Sequence, residues 1–121
     1  MHNSDKMTEP ELWEQTRQLE KEKDEIRSWE KAVREREEEE DRKICEEYLK
    51  LEYMREHAGE DHEILFLIDE QRSLLDMVRM KKAEFDDDIE KYVKGKNAEK
   101  EEQLRSVRQA LHCYSKHERH D

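Results

Sequence analysis

Arg55-Glu56-His57-Ala58-Gly59-Glu60-Asp61-His62-Glu63-Ile64 decides between one long helical rod and a hairpin. Gly59 suits the left-handed conformation that ends helices, since glycine has no Cβ to clash there. His57 complements the negative end of a helix dipole. Asp61 can cap a following helix, with Ile64 three residues on. The segment therefore predicts a turn at 58–61, with a helix on either side.

Upstream, Leu12, Leu19, Ile26 and Val33 recur every seventh residue. The charged run Glu35–Asp41 then interrupts the apolar seam. The next seam residue, Ile44, lies eleven positions beyond Val33. Eleven residues make three turns at about 3.67 residues each, so the face is kept. Tyr48 and Leu51 continue it. Thr8-x-x-Glu11 is a capping box with Pro10 in the first turn, so helix 1 should span about 9–57.

Downstream, Ile64, Ile68, Gln71, Leu75, Val78, Lys82, Phe85, Ile89 and Tyr92 alternate steps of four and three. Leu104, Val107, Leu111 and Tyr114 resume the alternation, shifted by one residue. Gly95 lies beside that shift and predicts a bend or weak point within helix 2, from about 62 to 114. The expected domain is a single all-α hairpin over 9–115, coiled-coil-like and part of a larger bundle, with flexible ends at 1–8 and 116–121. A symmetric hairpin pairs residue i with roughly 119 minus i. Leu12 then meets Val107, Ile26 meets Val93, Val33 meets Phe85 and Leu51 meets Ile68. The two seams coincide, which one long rod would not require.

Composition narrows the function. Charged residues make up 49% of the chain and there are only two glycines and one proline, which fits long helices rather than a sheet. The formal net charge is -11, with neither arm basic, so nucleic acid and anionic membrane surfaces are not expected ligands. The longest apolar run, Ile64–Ile68, cannot span a bilayer. Cys45 and Cys113 fall about 50 Å or more apart in a hairpin, so free thiols in a reducing compartment are expected.

Residues 44–80 hold 18 of the 39 hydrophobic residues. This exceeds what one helix–helix face can bury. Leu67, Leu74 and Met77 form a second face on helix 2, with Leu65 and Phe66 beside them. Cys45, Leu49, Tyr53 and Met54 lie off the main stripe of helix 1. The surplus implies further helices from a partner, and Leu49, Tyr53, Met54, Leu65, Phe66, Leu67, Leu74 and Met77 are the candidate contact residues. Trp13 and Trp29 are either interface anchors or lids over a thin core.

Catalytic patterns are lacking. Asp86-Asp87-Asp88 has neither calcium-loop spacing nor a turn glycine and reads as a solvated face. Cys113 and His117 are four apart on a helix and could share a zinc ion, but no second pair stands at compatible spacing, although His2 could approach. Neither an enzyme nor a bound cofactor is expected.

A charged hairpin of this size turning at a glycine resembles the WXG-type proteins of Gram-positive type VII secretion. It resembles more closely the helical accessory proteins of LXG-domain toxins. Leu74-Leu75-Asp76, Lys81-Lys82-Ala83-Glu84-Phe85 and Glu101-Glu102-Gln103-Leu104-Arg105 carry the likeness, over about a third of the chain. Ala58-Gly59 stands where the simplest family members have Trp-x-Gly. A tyrosine-x3-acid pattern occurs at Tyr48–Glu52 and at Tyr114–Glu118; the second stands where the family's export signal would be. The resemblance implies a targeting chaperone in a bacterial cytoplasm, co-secreted or retained, that binds a toxin's helical N-terminal domain together with a second small helical protein. The alternative is a self-associating structural coiled coil, such as a homodimer.

Overall fold

The computed structural model describes residues 7–120, and for 117–120 the backbone alone. Two helices pack against each other as an all-α hairpin: α1, Glu9–Ala58, and α2, His62–His120. No strand occurs among the described residues.

The helix ends follow the capping chemistry. The Glu11 amide donates to Thr8 Oγ1 at 3.3 Å. Gly59 adopts φ 62°, the left-handed stop. The Asp61 amide closes the turn on the Ala58 carbonyl at 3.3 Å. Asp61 Oδ1 then accepts from the amides of Glu63 and Ile64 at 3.1 and 3.3 Å. His57 stacks on Tyr53, with ring centroids 4.1 Å apart, and its Nδ1 reaches the Tyr53 carbonyl at 2.9 Å.

Helix 2 continues through Gly95, so the expected weak point does not end the helix. It also runs beyond the expected end at Tyr114, to His120. No glycine or proline follows Tyr114 to stop it.

The chain divides into two compact units, each built from both helices: Met1–Glu30 with Lys91–Asp121, and Lys31–Glu90. In the first, Leu12, Leu19, Leu104 and Val107 form the buried cluster, with Met7, Ala110, Leu111 and Tyr114 against it. Leu12 and Val107 thus meet as the register predicts. Leu104 is fully enclosed, and burying such a side chain is worth about 1.5–3 kcal/mol. Thr16 is buried beside the cluster and donates its hydroxyl to the Leu12 carbonyl at 3.0 Å. The Tyr114 hydroxyl donates to the Met7 carbonyl.

Charged residues frame this cluster. Lys23 pairs with Glu101, and Lys100 Nζ lies 2.6 Å from Glu22 Oε2. Hydrogen bonding to Glu22 raises the Lys100 pKa above its ordinary 10.5. The same contact lowers Glu22, and Lys23 lowers Glu101. Trp29 meets Tyr92 edge-on at 5.4 Å, and Lys96 Nζ lies 5.8 Å above the Tyr92 ring.

In the second unit, Ile68 and Ile89 are buried, and Ile44, Leu51 and Leu75 are half-buried. The unexpected members are polar. Glu37 is buried and Lys82 nearly so. Lys82 Nζ donates to the Glu37 main-chain oxygen at 3.0 Å. It also lies 3.1 Å from Glu37 Oε2, 3.1 Å from Asp41 Oδ1 and 3.6 Å from Glu40 Oε2. Burial pulls the Lys82 pKa down, but contacts with Glu37 and Asp41 outweigh it and hold the value above 10.5. The charged run that breaks the apolar seam of α1 therefore faces Lys82 in the seam of α2.

Several ladder positions fall outside the core. Ile64, Val78, Phe85 and Tyr92 are exposed, whereas Ile68, Leu75, Lys82 and Ile89, seven apart, face inward. Phe85, expected opposite Val33, is half exposed. A straight helix drifts by about 20° per heptad, so an alternation of four and three cannot keep every rung inward.

Candidate partner-binding surface

The surplus apolar residues remain uncovered. Leu49, Tyr53, Met54, Phe66, Leu67, Leu74 and Met77 are all more than half exposed. Leu65 is half-buried, so its side chain is partly used inside the fold. The hairpin does not bring these residues into one patch. Leu49 lies on one side of the Lys31–Glu90 unit and Leu74 and Met77 on the other, while Phe66 lines a separate hollow with Leu74.

On one side is a groove of about 410 Å³. Cys45, Tyr48, Leu49 and Leu51 of α1 and Ile68 of α2 supply its apolar lining, so Leu51 and Ile68 come together as the register predicts. Arg55, Arg72 and Arg79 line it too, against Glu52 and Asp76. This is a cationic excess in a chain of net charge -11. Tyr48 donates its hydroxyl to Asp76, which raises the Tyr48 pKa, and Arg79 lies 5.5 Å over the Tyr48 ring. Arg55 pairs with Asp69.

On the other side, Leu74, Met77, Val78 and Phe85 of α2 line a wider groove of about 640 Å³, with Arg36, Glu37 and Glu40 of α1. Leu67 lies one heptad before Leu74 and shares its side of α2. Tyr53 and Met54 line neither groove; Tyr53 is taken up by its stack on His57.

Val78 and Phe85 belong to this second surface, although their spacing assigned them to the seam. Arg72 and Arg79, seven apart, share one face of α2, and the packing of α1 adds Arg55 to them.

Of the candidate export pair, Tyr114 is engaged in the core cluster and on Met7, while the Glu118 side chain lies outside the described residues, as do His2 and the His117 side chain. Both cysteines are free and exposed. Asp86 faces Arg34, with Oδ1 3.9 Å from the guanidinium. Among the described residues no group of three or more His, Cys, Asp or Glu could hold a metal ion, and no helix is long and apolar enough to cross a membrane. No protein-family model matches the chain, and neither the curated proteins nor the solved structures include a match.

Proposed function

We propose that this chain is a non-enzymatic helical adaptor that seats a client helix in the Cys45–Arg79 groove. The observation carrying the reading is that groove's make-up, an apolar floor under three arginines on an otherwise acidic protein. An amphipathic helix lays its apolar face on such a floor. Arginine at the rim then selects acidic flanks and speeds encounter. The client class is a helical toxin N-terminal domain of the LXG type, which the sequence resemblance alone implies.

The test is size-exclusion chromatography of the full chain mixed with a purified LXG-type N-terminal domain. Co-elution with the native chain, lost in Leu49→Glu and Arg72→Glu variants of unchanged far-UV circular dichroism, is the expected outcome. Separate elution at tens of micromolar would overturn the reading.

A further inference from the structure

On the side of the hairpin away from that groove, we infer that a second copy of this chain covers the stripe Leu67–Leu74–Val78–Phe85. The two α2 helices would run parallel about a twofold axis along their length. The inference is independent of the client-binding reading, since it concerns other residues.

The stripe itself is an unfinished seam. Its four members are between 46% and 57% exposed, and they are spaced by seven, four and seven residues. Such spacing keeps side chains on one side of a helix and suits a coiled-coil partner of the same pitch. In a parallel twofold pair, each member meets its own counterpart, so the surface is self-complementary without further design.

Charge selects a second copy as the occupant. Arg36, Lys43, Lys50 and His57 stand every seventh residue along α1, and Arg36 lines the same groove as Leu74, Val78 and Phe85. Glu63, Glu70, Met77 and Glu84 stand every seventh residue along α2, on the outer flank of the stripe, farther from α1 than the stripe itself. The hairpin register sets these rows level. Lys82 against Glu37 and Asp86 near Arg34 place Glu84 at the height of Arg36. Arg55 against Asp69 and Tyr48 against Asp76 place Glu70 within about a turn of Lys50.

When α2 of one copy lies on the stripe of the other, its outer flank turns toward the partner's α1. Arg36 then faces Glu84 of the second copy, Lys50 faces its Glu70, and Lys43 packs its alkyl stem on the Met77 between them. Lys81 stands within the stripe's edge, tied to Glu84 at 3.8 Å, and Gln71 lies between Leu67 and Leu74. An antiparallel arrangement of the two α2 helices would instead bring the basic row of α1 against its own copy. The charge pattern therefore chooses the parallel arrangement.

Sedimentation equilibrium of the full chain should give twice the 15.0 kDa chain mass. Val78→Glu should give the single-chain mass with unchanged helicity. Lys50→Glu should weaken self-association about tenfold, and adding Glu70→Lys should restore it, because like charges in contact are replaced by attraction. Phe85→Cys, with Cys45→Ser and Cys113→Ser, should form a symmetric disulfide under mild oxidation. A single-chain mass for the native protein at every concentration would overturn the inference, and so would a dimer indifferent to Val78→Glu. A dimer without the Phe85→Cys crosslink would overturn the parallel arrangement. Loss of client co-elution with self-association intact would count only against the proposed function.

Discussion

Lys82 of α2 and Glu37 of α1 meet with 3.1 Å between Nζ and Oε2, their side chains 12% and 10% exposed. An ion pair this enclosed is held because Glu40 and Asp41 also approach the ammonium and the Glu37 carbonyl accepts from it. Lys82→Met would leave three carboxylates crowded with one buried among them. Its expected cost is about 2–3 kcal/mol in urea denaturation, below the full value for a dry pair because Asp41 is largely exposed. The double variant Lys82→Met with Glu37→Leu should recover most of that loss. A single-variant loss under about 0.5 kcal/mol would show that water already replaces the lysine.

This pair also marks how far the sequence could be read. The register of 119 minus i sets Lys82 opposite Glu37, yet the run Glu35–Asp41 reads as a gap in an apolar seam. Apolar periodicity has no way to score a charge that is buried by its partner. The turn, both N-caps and the Leu12–Val107 pairing were legible because each rests on local chemistry or simple geometry. The exposure of Val78 and Phe85 was not, since it follows from helical drift accumulated over several turns. Residues 44–80 were legible as carrying too much apolar material, but not its division into two sides, because that depends on the azimuth of each helix in the pair.

The two glycines should respond oppositely to alanine. At Gly59 the backbone is left-handed, so Gly59→Ala should cost about 1 kcal/mol although space for the methyl is open. At Gly95 the helix is regular and nothing lies within 4 Å of an added Cβ. Gly95→Ala should stabilise by about 0.5–1 kcal/mol through helix propensity. Thermal melts followed by circular dichroism distinguish them, and a destabilised Gly95→Ala chain would show that the position needs glycine's freedom.

Leu104→Ala should be among the costliest core changes in the Met1–Glu30 and Lys91–Asp121 unit, at about 2–4 kcal/mol. Its side chain is completely enclosed by the cluster it anchors. Leu74→Ala, on an exposed side chain, should cost under about 0.5 kcal/mol to a single chain. Equal effects in chemical denaturation at high dilution would contradict the assigned core.

Stability should form a plateau bounded by carboxylates on the acid side and by amines and tyrosine on the alkaline side. Glu22 and Glu101 are lowered from 4.5, so their contribution is complete above that pH and is lost as pH falls through their folded values. Lys100 and Lys82 are raised from 10.5 and Tyr48 from 10.0. Their contributions are complete below those values and are lost as pH rises through the folded ones. Melting temperature measured against pH should therefore fall on both flanks. Replacing Glu22 and Glu101 by Gln should flatten the acid flank, and an unchanged acid limb would assign it to other carboxylates.

Trp13 and Trp29 both belong to the Met1–Glu30 and Lys91–Asp121 unit, and the chain has only those two tryptophans. The protein thus contains an intrinsic optical probe of one half alone. Indole emission tracks the melting of that half, while far-UV circular dichroism sums the helicity of both. Coincident curves from the two signals would mean that the hairpin unravels as one cooperative whole, and separated curves would mean that each half has its own transition.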